Sequence, residues 1–437
     1  MKVTSSYAIE IKHIDKLFRD TVCLYRKALS FLIDAYEKEW EYLSVLSNKL
    51  QKQTAAENLI HNTKSNKAKY GFDEEFYKFP SYLRRDVRNA ALGILYSYHS
   101  NLNNWESSGK KGNKPVLQKN NYAMPVFFRG NMYQTAESDT SCKLKIFKDN
   151  DWIWVTVNLK KTDVDYLKKY WLHLQPSAPK LEKKHKKWFL RFSYEEDVEL
   201  SKEPVEGQIV CTVDLGINTD AVCSIMTADG TVAARKFINF AAEKDHLYLA
   251  LNKIREFQRL HGSQSTKSYW AYATRLNDEL SKKIAREIVS FADDHYADVI
   301  VFEHLDMKKK NSGPKKQKLH MWRKNGIQKL VAHRAHRLGI RIAHINARNT
   351  SKLAFDGSGE VIRDEKNYRL CKFQTGKQYN CDLSASYNIG SRYFIRELLK
   401  SVSEKKLSLL WAEVPESEHR TTCTLSTLWK VYDFLHV

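Results

Sequence analysis

The chain has 437 residues, of which 42% are hydrophobic, enough for several folded domains with their own cores. Its 72 Lys and Arg against 51 Asp and Glu give a net charge of +21, which predicts a polyanionic partner such as nucleic acid. The first residues lack the apolar core of a signal peptide, and no apolar stretch is long enough to cross a bilayer, so we expect no membrane association. Seven cysteines without framework spacing favour free thiols in a reducing cytoplasm.

The first residues of the chain predict one strand followed by helices. Residues 1–11 alternate weakly and predict an edge strand. Residues 13–52 repeat apolar side chains every three or four positions, typical of one long amphipathic helix, and polar 53–70 predicts a loop. Pro80-Ser81 signals the start of a second helix over 82–105.

The hydrophobic period then changes to that of strands. Residues 143–147 and 152–157 predict two strands joined by the turn Lys148-Asp-Asn-Asp, and 188–194 predicts another. These strands predict a small β-barrel or sandwich, interrupted by the preceding helical segment.

A third composition begins near Glu206. Strands over 209–214, 221–227 and 232–238 predict a meander, with Ala228-Asp-Gly as the second turn. Helices over 241–291, 322–338 and 382–399 then alternate with strands over 299–303 and 340–345; the first helical stretch breaks at Gly262-Ser-Gln-Ser. A meander followed by alternating strands and helices is the order of an RNase H-like α/β fold.

Three acids stand at the ends of these elements. Asp214 and Glu303 each end an apolar strand, and Asp382 begins a helical segment. Acids there are costly unless a positive partner meets them, and Mg²⁺ prefers carboxylate oxygens. Two Mg²⁺ ions about 4 Å apart can cleave a phosphodiester. The alternative is structural: polar strand ends, and Asp382 as a helix cap.

The same acids lie in motifs that resemble a known family. Asp214-Leu-Gly-Ile-Asn, Glu303-His-Leu and Asp382-Leu-Ser-Ala-Ser-Tyr-Asn-Ile are similar to the three RuvC motifs of TnpB proteins and miniature type V CRISPR effectors. Asn349-Thr-Ser is similar to the family's lead into its zinc-ribbon insertion, and Trp322 with the helix after it also resembles the family. The resemblance covers about 206–396; before it, the similarity is architectural only, a helical lobe set into a β-barrel wedge.

The resemblance implies an RNA-guided DNA endonuclease with one RuvC-like site. Asp214, Glu303 and Asp382 would be its catalytic, metal-binding acids. Gly216 and Asn218 would shape the turn after the first strand, and Asn388 would support the site. The expected cofactors are two Mg²⁺ ions, with Mn²⁺ able to substitute. The expected partners are a guide RNA and double-stranded target DNA, bound by a monomer or by an asymmetric dimer on one RNA.

The chain departs from the family in the zinc-ribbon insertion. The first Cys-x-x-Cys pair is replaced by Leu353-Ala-Phe-Asp-Gly-Ser-Gly, and only Cys371 and Cys381 remain nearby. We therefore expect no structural zinc. Aromatic residues would form the core of the insertion instead: Phe355, Tyr368, Phe373 and Tyr379.

The predicted domains follow from these features. They are the first part of a β-barrel wedge domain (1–12), a helical recognition lobe (13–120), the rest of the wedge domain (121–205), a RuvC-like nuclease domain (206–345), a target-nucleic-acid-binding insertion (346–381), and the RuvC-like end with a C-terminal segment (382–437). In that last segment, Trp411, Leu425, Trp429 and Phe434 suggest packing.

Basic clusters are the candidate nucleic-acid contacts, because phosphates attract Lys and Arg. The candidates are Arg84, Arg85, Arg88, Lys110, Lys111, Lys308, Lys309, Lys310, Arg323 and Lys324. For each one taken alone, the alternative is a solvated surface charge. Some aromatic side chains can stack on bases, with core packing as the alternative: Tyr82, Phe127, Phe128 and Tyr133.

Two other functions remain open. One is a cleavage-deficient, guided DNA-binding repressor, against which the retention of all three acids argues. The other is a guide-free RuvC-like resolvase or transposase, for which the basic first half is excessive. Transposon-encoded and CRISPR-encoded origins are not distinguished, and the expected location is the prokaryotic cytoplasm, at the nucleoid when DNA is bound.

Overall fold

The structure is a computed structural model that describes residues 1–12, 16–119, 122–184, 186–262, 264–304, 324–364, 367 and 369–436. It divides into two compact units. One is Thr4–Glu196, and the other is Met1–Val3 with Asp197–Val437. The finer domain division given above stays a prediction. No helix within the described ranges is long and apolar enough to cross a membrane.

The helices of the Thr4–Glu196 unit are α1 (Arg19–Lys38), α2 (Trp40–Val45), α3 (Lys49–Asn58), α4 (Phe72–Glu75), α5 (Ser81–Ser107) and α6 (Lys161–Trp171). The prediction of one helix over 13–52 is wrong. The chain is extended at Leu46, and the Asn48 side chain accepts a hydrogen bond from the Leu50 amide at 2.8 Å, which starts α3. Because α3 ends at Asn58, the predicted loop over 53–70 begins too early. Helix α5 starts after Pro80, as predicted, and α6 was not predicted.

The strands of this region are β1 (Lys2–Lys12), β2 (Tyr133–Thr135), β3 (Ser141–Lys148), β4 (Asp151–Leu159), β5 (Lys180–Lys184) and β6 (Lys187–Asp197). They form one sheet in the order β2-β3-β4-β1-β6-β5. The prediction of β1 as an edge strand is wrong, since it lies between β4 and β6. A closed barrel is not shown: β2 and β5 are the outer strands, and no ladder between described strands joins them.

Local turn chemistry explains the longest hairpin of this sheet. Lys148 of β3 pairs with Asp151 of β4, which leaves Asp149 and Asn150 as the turn. Both have left-handed backbones, with φ of 51° and 61°, as a two-residue hairpin turn requires and as Asp and Asn tolerate. The turn predicted at this position is therefore confirmed.

The second unit contains a five-stranded mixed sheet. Its strands are β7 (Val210–Asp214), β8 (Ala221–Met226), β9 (Val232–Ile238), β10 (Val299–His304) and β11 (Arg341–Asn346), in the order β11-β10-β7-β8-β9. The β7-β8-β9 meander is antiparallel, and β10 is parallel to both β7 and β11. This arrangement agrees with the predicted order of strands.

The helices of this unit are α7 (Ala241–His261), α8 (Lys267–Asp294), α9 (Lys324–Arg337), α10 (Cys381–Leu398), α11 (Glu404–Glu413) and α12 (Leu425–His436). Apolar residues of α8 and α9 share one core with one face of the sheet, and α10 and α12 share another core with the opposite face. Helix α10 approaches closely, because a Cβ on Gly390 would lie 2.5 Å from the Met226 sulfur. The break between α7 and α8 falls at Gly262, where φ is +58°.

The insertion contains three short strands, and the C-terminal segment packs through Leu425 and Trp429 of α12. Strands β12 (Ile362–Arg363), β13 (Leu370–Lys372) and β14 (Gln378–Asn380) form a small antiparallel sheet. Phe355 contacts Phe373 and Tyr379 edge-on, as predicted, while Tyr368 lies outside the described residues. In α12, Leu425 is buried and the Trp429 indole donates to the Gly230 carbonyl at 3.3 Å.

Candidate active site

Asp214 and Glu303 lie side by side at one edge of the mixed sheet. Strands β7 and β10 are parallel, and Val213 pairs with Phe302. Each acid follows its member of that pair, so their Cα atoms are separated by roughly the spacing of adjacent strands, about 4.8 Å. Both side chains are partly buried. Residues predicted from separate parts of the chain therefore meet at the carboxyl ends of neighbouring strands.

Asp382 approaches the same edge from the first turn of α10. The N-cap of α10 is Asn380, whose side chain accepts from the Leu383 amide at 3.0 Å. The capping role that the alternative interpretation assigned to Asp382 is thus filled by another residue. The Asp382 carboxylate instead accepts a hydrogen bond from the Thr219 side chain, in the turn after β7.

The electrostatics of the three acids show that they share one environment. Burial raises the pKa of Asp214 well above its usual value, and the charges of Glu303 and then Asp382 raise it further. Burial also raises the pKa of Asp382, against the hydrogen bond from Thr219. Arg363 on β12 lowers both pKa values, so a positive charge stands beside the acids. Burial and the neighbouring acids therefore disfavour the charged form of Asp214, and Arg363 favours it.

The acids fit Mg²⁺ in donor type and charge. Carboxylate oxygens are hard ligands, and a divalent cation would offset both the burial and the repulsion that raise the pKa of Asp214. Within the described part of the chain, however, no group of three or more His, Cys, Asp or Glu side chains is arranged to hold a metal ion. In this arrangement Glu303 and Asp382 each accept a hydrogen bond from a threonine hydroxyl, of Thr350 and Thr219 respectively.

The turn after β7 depends on a glycine. A Cβ on Gly216 would lie 2.5 Å from the backbone oxygen of Thr219, so only glycine allows this close approach. Asn218 is exposed, and its carbonyl accepts from Lys244 Nζ at 2.7 Å. Gly216 thus lets the chain place Thr219 against Asp382. The functional roles of Gly216 and Asn218 stay predictions.

Asn388 is fully buried on α10. Its Nδ2 donates to the carbonyls of Thr350 at 3.0 Å and Leu353 at 2.9 Å, and its Oδ1 accepts from the Leu425 amide at 3.3 Å. It therefore joins α10 to the segment after β11 and to the start of α12. Its predicted supporting role stays a prediction, and these contacts show the route by which it would act.

Sequence reasoning missed several residues at this site: Thr219, Thr350, Arg363 and Arg392. The signal for Thr350 was present in Asn349-Thr-Ser, which the resemblance identified only as the lead into the insertion. Arg363 and Arg392 carry no local signal, because their partners are distant in sequence.

The chain is similar to known proteins mainly in its fold, and only in part by sequence. The sequence profile of the Aq_aa04 family matches residues 4–148, less than half of the chain. No curated protein matches the chain by sequence. A cryo-EM structure of the Cas12f1–sgRNA–target DNA complex is similar, with 15% identity and a TM-score of 0.52 over 86% of this chain and 81% of that chain. The mini-RNA-guided endonuclease CRISPR-Cas_phi3 is similar, with 11% identity and a TM-score of 0.51 over 89% and 92%.

The chain has the fold of type V CRISPR effectors. At these identities the similarity concerns the fold alone. The Cas12f1 protein is in complex with sgRNA and target DNA in its structure, and the CRISPR-Cas_phi3 protein is described as an RNA-guided endonuclease. Within the type V fold of this chain, the three acids stand where β7, β10 and α10 meet.

Two of the predicted nucleic-acid contacts are not available to phosphates in this structure. Arg84 and Arg88 are buried on the face of α5 that packs against α3, where each donates to Glu57 at 2.9 Å. Arg84 also contacts Asp73 at 3.4 Å. Both predictions are corrected: these guanidinium groups neutralise internal acids, because their positions four residues apart put them on one inward face.

The remaining predicted contacts differ in position. Arg85 is exposed, with its guanidinium over the Tyr82 ring at 5.1 Å, and Lys110 and Lys111 are exposed beyond α5. Lys308, Lys309, Lys310 and Arg323 lie outside the described residues, and Lys324 begins α9 without a described side chain. Of the aromatic candidates, Phe127 is fully buried in the core, which excludes it from base stacking here.

The two cysteines of the insertion are buried neighbours across β13 and the start of α10. Burial raises the pKa of the Cys371 thiol to about 12, and the pKa of Cys381 is raised for the same reason. Burial therefore favours the protonated form of both thiols in the metal-free chain. The absence of structural zinc stays a prediction.

Proposed function

We propose that the chain is an RNA-guided, Mg²⁺-dependent DNA endonuclease of the TnpB and miniature type V group. The observation that carries the proposal is the meeting of Asp214, Glu303 and Asp382 at one edge of the mixed sheet, in the fold of type V effectors. A carboxylate such as Asp214, whose pKa is raised by burial and then by the charges of two acids from other elements, is typical of functional sites.

The chemistry follows from the residues. Bound Mg²⁺ ions would polarise the scissile phosphate and lower the pKa of an attacking water. Asp214 and Glu303, on adjacent strands, would hold them from the sheet, and Asp382 from α10. Arg363, whose charge already lowers the pKa of Asp214 and Asp382, would face the negative phosphate.

The proposed partners are a guide RNA and double-stranded target DNA. The net charge of +21 supports a polyanionic partner. On the Thr4–Glu196 unit, exposed Arg85 lies over Tyr82 and exposed Lys110 lies over Trp105 at 5.9 Å. Such basic and aromatic pairs offer both a phosphate contact and a stacking surface.

The test is cleavage by the purified protein with the RNA that copurifies with it. Wild type should cut matched DNA in Mg²⁺ and leave mismatched DNA intact, and Asp214→Ala should bind the same DNA without cutting it. Asp294→Ala is the matched control, because Asp294 is an exposed acid at the end of α8 in the same unit.

Two of the possible failures would each support one of the other functions, and a third would remove the proposed site. Guided binding without cleavage in Mg²⁺ or Mn²⁺ would support the cleavage-deficient repressor. Metal-dependent cleavage without any discrete copurifying RNA would support a guide-free resolvase or transposase. Cutting by Asp214→Ala at the wild-type rate would remove the proposed site.

A further inference from the structure

Thr350 is in contact with one of the three acids and is almost fully buried, with 2% exposure. Its hydroxyl is within hydrogen-bond distance of Glu303 Oε1 and 2.9 Å from the Ala347 carbonyl. A hydroxyl has a single proton to donate, and a carboxylate is a stronger acceptor than a neutral carbonyl. The Thr350 proton is therefore directed at Glu303, and this bond restricts the rotation of the glutamate side chain.

The backbone of Thr350 is anchored by α10. Asn388 Nδ2 donates to the Thr350 carbonyl at 3.0 Å and to the Leu353 carbonyl at 2.9 Å. Asn388 is itself fully buried, so this amide has no competing solvent. The hydroxyl that meets Glu303 is consequently attached to a fixed piece of backbone.

A buried arginine on the same helix holds the start of this segment. Arg392, with 4% exposure, donates through Nη1 to the carbonyls of Asn346 at 3.0 Å and Arg348 at 2.6 Å. Its other nitrogens donate to the carbonyls of Cys423 at 3.1 Å and Thr421 at 2.9 Å. A guanidinium that bonds several carbonyls at once fixes the path of the chain after β11.

We propose that Thr350 is a positioning residue that holds Glu303 in the orientation needed to bind the metal ion, through a segment that α10 anchors. Helix α10 then determines the positions of two of the three acids. Asp382 lies in its first turn, and Glu303 is held through Thr350. Thr350 touches neither substrate nor ion in this assignment. The inference rests on the proposed function, because it names what orients one acid of that site.

The experiment compares Thr350→Val, which keeps the shape and removes the hydroxyl, with Thr350→Ser, which keeps the hydroxyl. The first readout is Mn²⁺ affinity of the purified protein, measured by the electron paramagnetic resonance of free Mn²⁺. The second is the Mg²⁺ concentration that gives half-maximal cleavage. We expect Thr350→Val to weaken Mn²⁺ binding and raise the half-maximal Mg²⁺ concentration about 10-fold, and Thr350→Ser to remain near wild type.

Several outcomes decide the matter. Equal Mn²⁺ affinity and equal Mg²⁺ dependence in wild type and Thr350→Val would overturn the inference, as would equal losses in the Val and Ser variants. Thermal unfolding shows whether each variant folds; if the valine variant does not, Thr350→Ala removes the same hydroxyl without adding a second methyl group. A merely structural role would lower thermal stability without changing the Mg²⁺ requirement.

The two proposals fail separately. If wild type does not cleave DNA but loses Mn²⁺ affinity when the Thr350 hydroxyl is removed, the nuclease function fails and the positioning role stands. If wild type cleaves and Thr350→Val cleaves with unchanged Mg²⁺ dependence, the reverse holds. Asp214→Asn, which removes an acid of the site itself, calibrates the largest loss of Mn²⁺ binding.

Discussion

Arg84 in the Thr4–Glu196 unit and Asp214 in the other unit are both charged groups surrounded largely by protein, and they differ in their neighbours. Arg84, with Arg88, bonds Glu57, so opposite charges meet. Asp214 stands beside Glu303 and Asp382, so like charges meet; burial raises the pKa of Asp214, and these two charges raise it further.

The same contrast holds between two buried acids. Asp86 on α5 also has a raised pKa because of burial, but it accepts hydrogen bonds from the Tyr25 hydroxyl at 2.8 Å and the Val126 amide at 3.2 Å. Both donors belong to its own unit, and Tyr25 is part of that unit's core, which is a structural arrangement. Asp214 has acidic neighbours instead. A buried charge that the protein satisfies by itself is structural, and a buried cluster of one sign indicates a ligand.

The largest expected effect is on cleavage. Asp214→Ala should lower the rate of guided DNA cleavage on the order of 10⁴-fold, the scale seen when an essential catalytic side chain is removed. Its affinity for guide RNA should stay at the wild-type level, because a negatively charged carboxylate does not attract RNA phosphates. The measurement is single-turnover cleavage beside a filter-binding assay. Loss of RNA binding in this variant would contradict the distinction between a site acid and a structural acid.

The next effect concerns the internal ion pairs. Glu57→Ala leaves Arg84 and Arg88 buried without their main partner, which should lower the free energy of unfolding by about 3–5 kcal/mol. Urea unfolding followed by circular dichroism measures it, with Glu106→Ala, an exposed acid on α5, as the control. If Glu57→Ala is as stable as the control, the two arginines are not held as the structure shows.

A smaller effect, an increase in thermal stability, is expected when the charge of Asp214 is removed. A carboxyl whose folded pKa is raised stabilises the fold below its unfolded pKa, and that stability is lost as pH rises through the folded pKa. At pH 8 the buried carboxyl of Asp214 therefore lowers the free energy of unfolding of the metal-free protein, and Asp214→Asn removes that loss. The midpoint of thermal unfolding should rise, by roughly 2–4 °C for each kcal/mol gained.

Divalent ions and acid pH supply the controls for that prediction. Mg²⁺ or Mn²⁺ should raise the unfolding midpoint of wild type more than that of Asp214→Asn, because only wild type retains the full set of acids. Near pH 4 the stability advantage of the asparagine variant should shrink. An advantage that is the same at pH 4 and pH 8 would show that the charge of Asp214 is not its cause.

The smallest effect is expected at the exposed face of α5. Arg85→Ala should weaken guide-RNA binding a few-fold and lower the salt dependence of log Kd by about one phosphate contact. Arg85→Lys should retain most of the affinity, because the charge remains. An unchanged salt slope in Arg85→Ala would place the RNA elsewhere on the Thr4–Glu196 unit.

Local sequence determined much of the second unit. The apolar runs of β7 and β10 are buried on both faces, which made these strands and their terminal acids, Asp214 and Glu303, recognisable. The helix end at Gly262 was recognisable because glycine is the residue that most readily adopts a positive φ, and the structure has φ of 58° there. Each of these features depends on a residue and its neighbours in the chain.

Contacts between distant residues were decided only in the tertiary structure. Arg84 and Arg85 are adjacent in sequence, yet one is buried and the other exposed, because Glu57 on α3, 27 residues away, meets one of them. Thr350 and Glu303 are 47 residues apart, and only the parallel pairing of β10 and β11 brings them together. Composition and periodicity predict which residues a helix or strand can bury. Which residue becomes the partner of a buried charge depends on how the helices and strands pack together.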